Sequence, residues 1–355
     1  MIKSVIFRLG LQWLVLLSVI SGARYSFATE TGRVVTRVAD GVYVIRHPDD
    51  VMGTGNSTVI VGDREVFVVD SEFFPAMARE DIAQIRQWTD KPVGYVLNTH
   101  FHNDHNNGNR AYMDAFPGLA IIAQVETKKD MDLIQPGNIE RARVDFNNFA
   151  QGKHGDGRPF SAEEKKELAP SAPELEQAAK DFKELTYQPP TLTFIDEIDI
   201  DIGNREVRVK HLGRGNTPGD AIVYLPKEKI IVAGDLLVHP VPYAFDGYPS
   251  EWVTTLQKMA QLDAQTIIPG HGPVMHDKSY LYLVTDLMKS AVEQVREGIR
   301  KAGHPGFYSV EKIKSGIDLS PFKPKFAGDD KDIGAQFDTM AEHLVNLSFK
   351  EAAIR

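Results

Sequence analysis

The sequence predicts a layered α/β fold, on three observations. Short β-branched segments bounded by turn dipeptides open the chain and return past its midpoint. Amphipathic helical segments stand in both halves. Between the halves lies a stretch without strand signals, enriched in Lys, Glu and Ala. This is the pattern of strands and helices layered around a core. The 355 residues are 42% hydrophobic and 25% charged, with 28 Gly and 20 Pro, which excludes wholesale disorder, a collagen-like repeat and a long coiled coil. The length suits one large domain or one and a half. The chain has no cysteine, so disulfide scaffolds, thiolate metal sites and cysteine nucleophiles are excluded together. Any metal must be held by His, Asp, Glu or Asn.

At the N-terminus, Lys3 and Arg8 precede the apolar run Leu9–Ile20, and small residues Ser26 and Ala28 follow. This reads as a signal peptide over 1–28. The competing reading is a membrane anchor, but the run is shorter than the ~20 residues a bilayer span needs. Export with cleavage to a periplasmic or secreted location is therefore expected, with no stable membrane anchor afterwards. Removing Lys3, Arg8 and Arg24 and no acid would take the net charge from −9 to −12. An acidic surface repels a phosphate backbone, so a small-molecule substrate is expected and nucleic acid is not.

Strands are expected at Val34–Val38, Val42–Arg46, Thr58–Val61 and Glu65–Val69, punctuated by Asp40-Gly41 and Gly62-Asp63. A helix carrying Ala78, Ile82, Ile85 and Trp88 on one face ends before Pro92. Val93–Leu97 then reads as a buried strand running into polar Asn98-Thr99-His100. Residues 126–190 read as a solvated helical insertion. Strands resume at Leu192–Ile195, Glu197–Ile202, Glu206–Val209, Ala221–Leu225 and Lys229–Ala233. A helix around Trp252, Leu256 and Met259 follows, then a strand at Thr266–Ile268. Past Pro273 two apolar stripes, one through Val284, Met288, Ala291, Val295 and Ile299 and one through Phe337, Met340, Leu344 and Leu347, read as core faces of helices. The organisation is thus a signal peptide (1–28), a main domain (29–275) holding the insertion, and a C-terminal helical extension (276–355).

Six of the eleven histidines gather where strands end, and three fall within six residues: His100-Phe101-His102-Asn103-Asp104-His105. A loop leaving a buried strand can aim alternate side chains into one cleft, and neutral imidazoles with a carboxylate suit a divalent ion of borderline softness. The other five, His47, His154, His276, His304 and His343, follow no pattern and read as surface or turn residues.

Segment 100–105 resembles the HxHxDH motif of the metallo-β-lactamase superfamily of binuclear metal hydrolases. Further elements follow the family order. Asp70 matches an early Asp that orients the motif loop, and Gly215-Asn216-Thr217-Pro218-Gly219-Asp220 matches the GHTPG-type loop. Asp235, in Ala233-Gly234-Asp235, matches a metal-bridging Asp, and His271, in Pro269-Gly270-His271-Gly272, matches the last His ligand. The resemblance runs from about Val34 to Met275, interrupted by the insertion. It implies a four-layer αβ/βα sandwich, with His100 and His102 at a first metal site, Asp104, His105 and His271 at a second, and Asp235 bridging. One or two divalent ions are implied, zinc by preference, with iron and manganese compatible.

The pattern breaks at Asn216, which stands where the family places a third first-site His. A carboxamide oxygen is a weaker donor than imidazole, so an intact second site and a weakened first site are expected, with Asn216 a weak ligand at most. His211 and His239 are nearby in sequence, and for each a structural role is favoured over ligation. A bound divalent ion lowers the pKa of water to about 7 and creates hydroxide at neutral pH. Asp104, the catalytic candidate, would ligate and orient it. The reaction expected is hydrolysis of an ester, thioester, lactone/lactam or related bond. The bridging Asp resembles the glyoxalase II, phosphodiesterase and sulfatase branches. Export points toward a β-lactamase proper, which stays an alternative, as does a non-catalytic periplasmic metal-binding or accessory protein.

Overall fold

The computed structural model describes residues 33–47, 55–169, 172–302 and 310–354. The expected signal peptide and His304 lie outside them. The chain divides into two compact units, one of residues 1–122, 128–193 and 202–204, the other of 123–127, 194–201 and 205–355.

The first unit is built on a seven-stranded sheet. Strands β1 (Val34–Ala39), β2 (Val42–Arg46), β3 (Asn56–Val61) and β4 (Val66–Val69) pair antiparallel in sequence order. Helix α1 (Pro75–Trp88) then crosses to β5 (Val93–Leu97), which runs parallel to β4. Proline at the first helical turn costs no hydrogen bond, because those N–H groups lack intrahelical partners. Ala78, Ile82 and Ile85 recur every three or four residues, so they pack as one face on Val66, Val68, Val93 and Val96. Helix α2 (Asn109–Ala115) leads to β6 (Ala120–Gln124), again parallel. The order closes with β7 (Leu192–Phe194).

Three parallel strands therefore end side by side. Val69 is in register with Leu97, and Leu97 with Ile122. Parallel α/β sheets bind ligands at the carboxyl ends of their strands. Here that edge carries Asp70 and the 98–105 loop: the Asp70 N–H donates to the Leu97 carbonyl (2.8 Å), and the Asn98 N–H to that of Ile122 (2.9 Å).

Between β6 and β7 run α3 (Val125–Ala150), α4 (Ala162–Leu168) and α5 (Ala172–Glu184). Ser161 caps α4 reciprocally with Glu164. The insertion has its own apolar core, in which Phe146 and Phe182 stack at 4.6 Å and Phe182 meets Phe73 and Phe74 edge-on. One face of this segment is thus packed on the Phe73-Phe74 turn rather than solvated throughout.

The second unit carries a five-stranded sheet in the order β12 (Thr266–His271), β11 (Ile230–Val238), β10 (Ile222–Leu225), β9 (Glu206–Lys210), β8 (Glu197–Asp201). All neighbours are antiparallel except β11 and β12. Helices α6 (Pro249–Ala260), α7 (Ser279–Ala302), α8 (Val310–Lys314), α9 (Lys323–Ala327) and α10 (Lys331–Ile354) complete it. Trp252, Leu256 and Met259 join Val284, Met288, Ala291, Phe337, Met340 and Leu344 in one core, so the C-terminal stripes are core faces. Among the described residues no helix is long and apolar enough to cross a membrane.

Candidate metal centre

In the first unit, the turn Asn103–His105 carries Asp104 and His105, with His100 and His102 just before it. His100 and His105 are fully buried, while the Asp104 side chain keeps 21% exposure. The neighbouring asparagines serve the backbone. Asn106 Nδ2 donates to the Phe101 and His102 carbonyls (2.9 and 2.6 Å), and Asn98 Nδ2 to that of His105 (3.1 Å). Asn98 and Asn109 pair reciprocally at 2.8 and 3.0 Å. Gln135 of α3 also donates to the Phe101 carbonyl, so the insertion helps hold the loop.

Asp70 is the organising charge. It is buried, and its φ of 63° turns the chain sharply at the end of β4. Its Oδ1 accepts from the Thr99 N–H (2.8 Å). Its Oδ2 receives Thr99 Oγ1 (2.9 Å) and His105 Nδ1 (2.8 Å). An ionised carboxylate only accepts, so both partners must donate. His105 therefore carries its proton on Nδ1 and, when neutral, presents a lone pair at Nε2. Thr99 has committed its only hydroxyl proton to Asp70, so toward His100 Nδ1, 2.9 Å away, it accepts. His100 is thereby also protonated on Nδ1 and presents its Nε2 lone pair for ligation. One carboxylate sets two imidazoles, directly and through a hydroxyl.

The outward atoms then converge. His105 Nε2 lies 3.3 Å from Asp104 Oδ2, and His100 Nε2 lies 2.9 Å from His102 Nδ1. An imidazole lone pair facing a carboxylate oxygen is repulsive unless a cation shares both. The second pair is two imidazoles at hydrogen-bond distance, and together the pairs offer the nitrogen and oxygen donors that a borderline divalent ion prefers. The residues present fit the metal that the sequence motif implies.

In the second unit, Asp235 lies inside β11, four percent exposed, and His271 ends the parallel neighbour β12. The β-branched pattern in the sequence ends the first of these strands at Ala233; it continues to Val238, so Asp235 sits on a strand rather than after one. His271 Nε2 is 3.6 Å from Asp235 Oδ1. A Cβ on Gly270 would stand 2.0 Å from that oxygen, so only glycine leaves the carboxylate its place. The Gly215–Asp220 loop is pinned by its own side chains: Asp220 accepts from the Thr217 N–H (2.9 Å) and hydroxyl (2.8 Å). Asn216 on that loop is fully buried, and neither amide atom has a hydrogen-bond partner among the described residues. His211 Nδ1 donates to the Asp220 carbonyl (2.8 Å), a loop-holding role, and the His239 ring packs on Tyr280 at 5.1 Å.

Several contributors carry no motif of their own in the sequence: Thr99, Asn98, Asn109 and Gln135. Only proximity to the His cluster could have flagged the first three. His47 is a correction. It reads from sequence as a surface or turn residue but is 2% exposed, beside Glu72 and Asp81. Strand parity was the available signal, because His47 shares a side of β2 with buried Ile45. Burial pulls the His47 imidazole toward neutrality, but the Glu72 and Asp81 carboxylates outweigh it and raise it to about 9. Burial likewise pushes the Glu72 carboxyl up.

Comparison with known proteins accounts for this constellation. Residues 51–271 match the family described as "Metallo-beta-lactamase superfamily". The chain belongs to the metallo-beta-lactamase superfamily. Superfamily membership accounts for the clustering of the candidate His and Asp ligands. It is 23% identical over 273 residues to the linear primary-alkylsulfatase of Pseudomonas sp. (strain ATCC 19151), covering 73% of this chain and 50% of that protein. It is 34% identical over 100 residues to the hydroxyacylglutathione hydrolase of Gloeobacter violaceus, covering 24% of this chain and 39% of that protein. The chain thus spans half or less of the length of these curated relatives. A solved metallo-beta-lactamase from Pontibacter korlensis superposes with a TM-score of 0.53 at 19% identity, covering 72% of this chain and 99% of that one. That likeness shows the fold, the αβ/βα sandwich with helices added at the C-terminus.

Proposed function

We propose that this superfamily member hydrolyses an ester-like bond in a small molecule, a sulfate ester or thioester before a lactone or lactam, using one or two divalent ions with zinc preferred. The observation that carries the reading is the His105 imidazole: its Nδ1 proton is committed to Asp70, and its Nε2 faces the Asp104 carboxylate at 3.3 Å. The proposed ligands are His100, His102, Asp104 and His105, joined on the family pattern by Asp235 and His271, with Asn216 a weak one.

A divalent ion bound there supplies Lewis acidity and water activated near neutral pH. The chain's own residues do the rest. Asp70 and Thr99 hold two imidazoles in the ligating tautomer. Asp104, the partly exposed carboxylate of the cluster, is placed to accept a hydrogen bond from the attacking water and orient it. His100 and His105 are fully buried, and burial strengthens the charge interactions they make.

The sulfate-ester and thioester preference is supported by the names of the two relatives and by Asp at 235, where thiolate chemistry is barred by the absence of cysteine. Export is proposed from the 1–28 pattern alone, and the acidic charge of −9 supports a small molecule over nucleic acid. The test is purified full-length protein, assayed for metal content and against alkyl sulfates, thioesters, lactones, phosphodiesters and β-lactams. Turnover of a sulfate ester or thioester that stops on chelation and returns with zinc is expected. Metal-loaded protein inert to the whole panel would defeat the hydrolase reading, and turnover of β-lactams alone would replace its substrate class.

A further inference from the structure

The first unit holds another group of ligating side chains that hydrolysis does not use. His47 follows β2, Glu72 follows β4 and Asp81 lies in α1, so three separate elements bring them together. All three are buried, at 2%, 1% and 0% exposure. His47 Nε2 stands 3.4 Å from Asp81 Oδ1 and 3.8 Å from Glu72 Oε1. One donor atom from each residue lies within 4.8 Å of the others.

The spacing is informative. A buried charged pair closed by a hydrogen bond brings nitrogen and oxygen to about 2.7–2.9 Å. Ligands that share one ion, each about 2.0–2.2 Å from it, stand further apart, on the order of 3.4 Å for tetrahedral geometry. The separations here match the second case. Among the described residues, neither ring nitrogen of His47 has a hydrogen-bond partner, nor has Glu72 Oε2 or Asp81 Oδ2. Native proteins seldom bury polar atoms with nothing to bind, and one ring nitrogen of His47 with an oxygen from each carboxylate, one atom per residue, can share a common partner. The neighbourhood supplies further donors. Ser57 Oγ donates to Glu72 Oε1 at 3.1 Å, and the buried Tyr112 hydroxyl, also without a hydrogen-bond partner among the described residues, feels both carboxylates. Arg33 Nη1 donates to Asp81 Oδ1 at 3.4 Å, the same oxygen that faces His47, and Oδ2 carries no hydrogen bond among the described residues.

We propose that His47, Glu72 and Asp81 form an internal structural site for a divalent ion of the zinc and manganese class. One imidazole with two carboxylates is a donor set for such ions, and none of the residues belongs to the hydrolytic ligand group. The ion would tie the ends of β2 and β4 to α1. Glu72 stands two residues after Asp70, at a φ of 77°, and its carbonyl accepts from the Gly108 N–H (3.1 Å). An ion on Glu72 would therefore lock the turn that presents Asp70, a scaffold role that does not depend on which bond the enzyme cleaves.

The deciding experiment is anomalous diffraction from crystals of the full chain saturated with Zn²⁺, collected on both sides of the zinc edge, and repeated with Mn²⁺. A peak about 2.0–2.3 Å from His47 Nε2 and from oxygens of Glu72 and Asp81 is expected with at least one of the two ions. No peak there with either ion overturns the proposal, as does His47 Nε2 drawn to hydrogen-bond distance of Asp81 in a closed ion-pair network. Metal content gives a second reading: the near-isosteric Glu72→Gln and Asp81→Asn should each lose one ion per chain relative to the parent. Unchanged content in either folded variant overturns the proposal equally. Should a variant fail to fold, the native anomalous map still decides.

Discussion

Replacing Asp70 by Asn tests how the ligand imidazoles are set. The change keeps side-chain shape and suits the backbone, since Asn tolerates the left-handed φ of 63° at this position. Chemically it is severe. Asp70 accepts three hydrogen bonds, from the Thr99 N–H, the Thr99 hydroxyl and His105 Nδ1, all between 2.8 and 2.9 Å. If the amide oxygen keeps the Thr99 N–H, the NH₂ group faces two donors. His105 then moves its proton to Nε2, the atom that should ligate. Thr99 reverses its hydroxyl toward His100 Nδ1, which loses its proton in turn and carries it on Nε2. If the amide is flipped instead, the buried Thr99 N–H loses its acceptor. Loss of one such supporting contact weakens metal binding about 10- to 100-fold. With two imidazoles disturbed together the upper end is expected, roughly 100-fold or about 2.7 kcal/mol. Competition titration of zinc against a chromophoric chelator measures it, with thermal unfolding of the metal-free proteins as the folding control. A folded Asp70→Asn protein that binds zinc within about threefold of the parent would refute the tautomer argument.

Thr99→Val removes the hydroxyl's hydrogen bond to Asp70 together with its link to His100, keeps the His105–Asp70 contact, and should weaken zinc by about tenfold in the same titration; a loss as large as that of Asp70→Asn would count against the two-branch reading. Asn216→His should raise metal stoichiometry by up to one ion per chain over the parent by elemental analysis, and unchanged stoichiometry removes residue 216 from the ligand set. In metal-stripped protein, His47 is raised to about 9 and the Glu72 carboxyl is also raised. A raised folded-state pKa contributes stability that is complete below the unfolded value and is lost as pH rises through the folded one. Denaturant melts should therefore show stability falling between pH 6.5 and about 9, flattened by Glu72→Gln. A stability that climbs over this range in metal-free protein would contradict the assignment.

The metal reading was legible because its residues are dense in sequence. His100 to His105 lie on one loop, so spacing alone proposes a ligand cluster. Asp235 and His271 stand out as motif positions, not as geometry, since nothing in a one-dimensional pattern says that β11 continues to Val238 or that β12 lies beside it in parallel. The strands are readable where β-branched residues alternate between turns, as at Val42–Arg46. Strand β6 is hidden because Ala120–Gln124 adjoins a helix-rich stretch whose texture overrides it.

His47 shows the limit most plainly. A lone histidine after a strand has no pattern, and only packing buries it against a Glu 25 positions later and an Asp 34 positions later. What the sequence determined by itself was local: strand and helix periodicity, the absence of thiol chemistry, and ligands close enough along the chain to share a loop. What only the tertiary structure decided was every long-range hydrogen bond, and with it which nitrogen of each imidazole carries the proton. The physical reason is that a protonation pattern depends on which acceptor comes within about 3 Å, a distance chain spacing does not encode. Asp70 governs His105 across 35 residues because β4 and β5 end side by side, and that neighbourhood exists only once the sheet has formed.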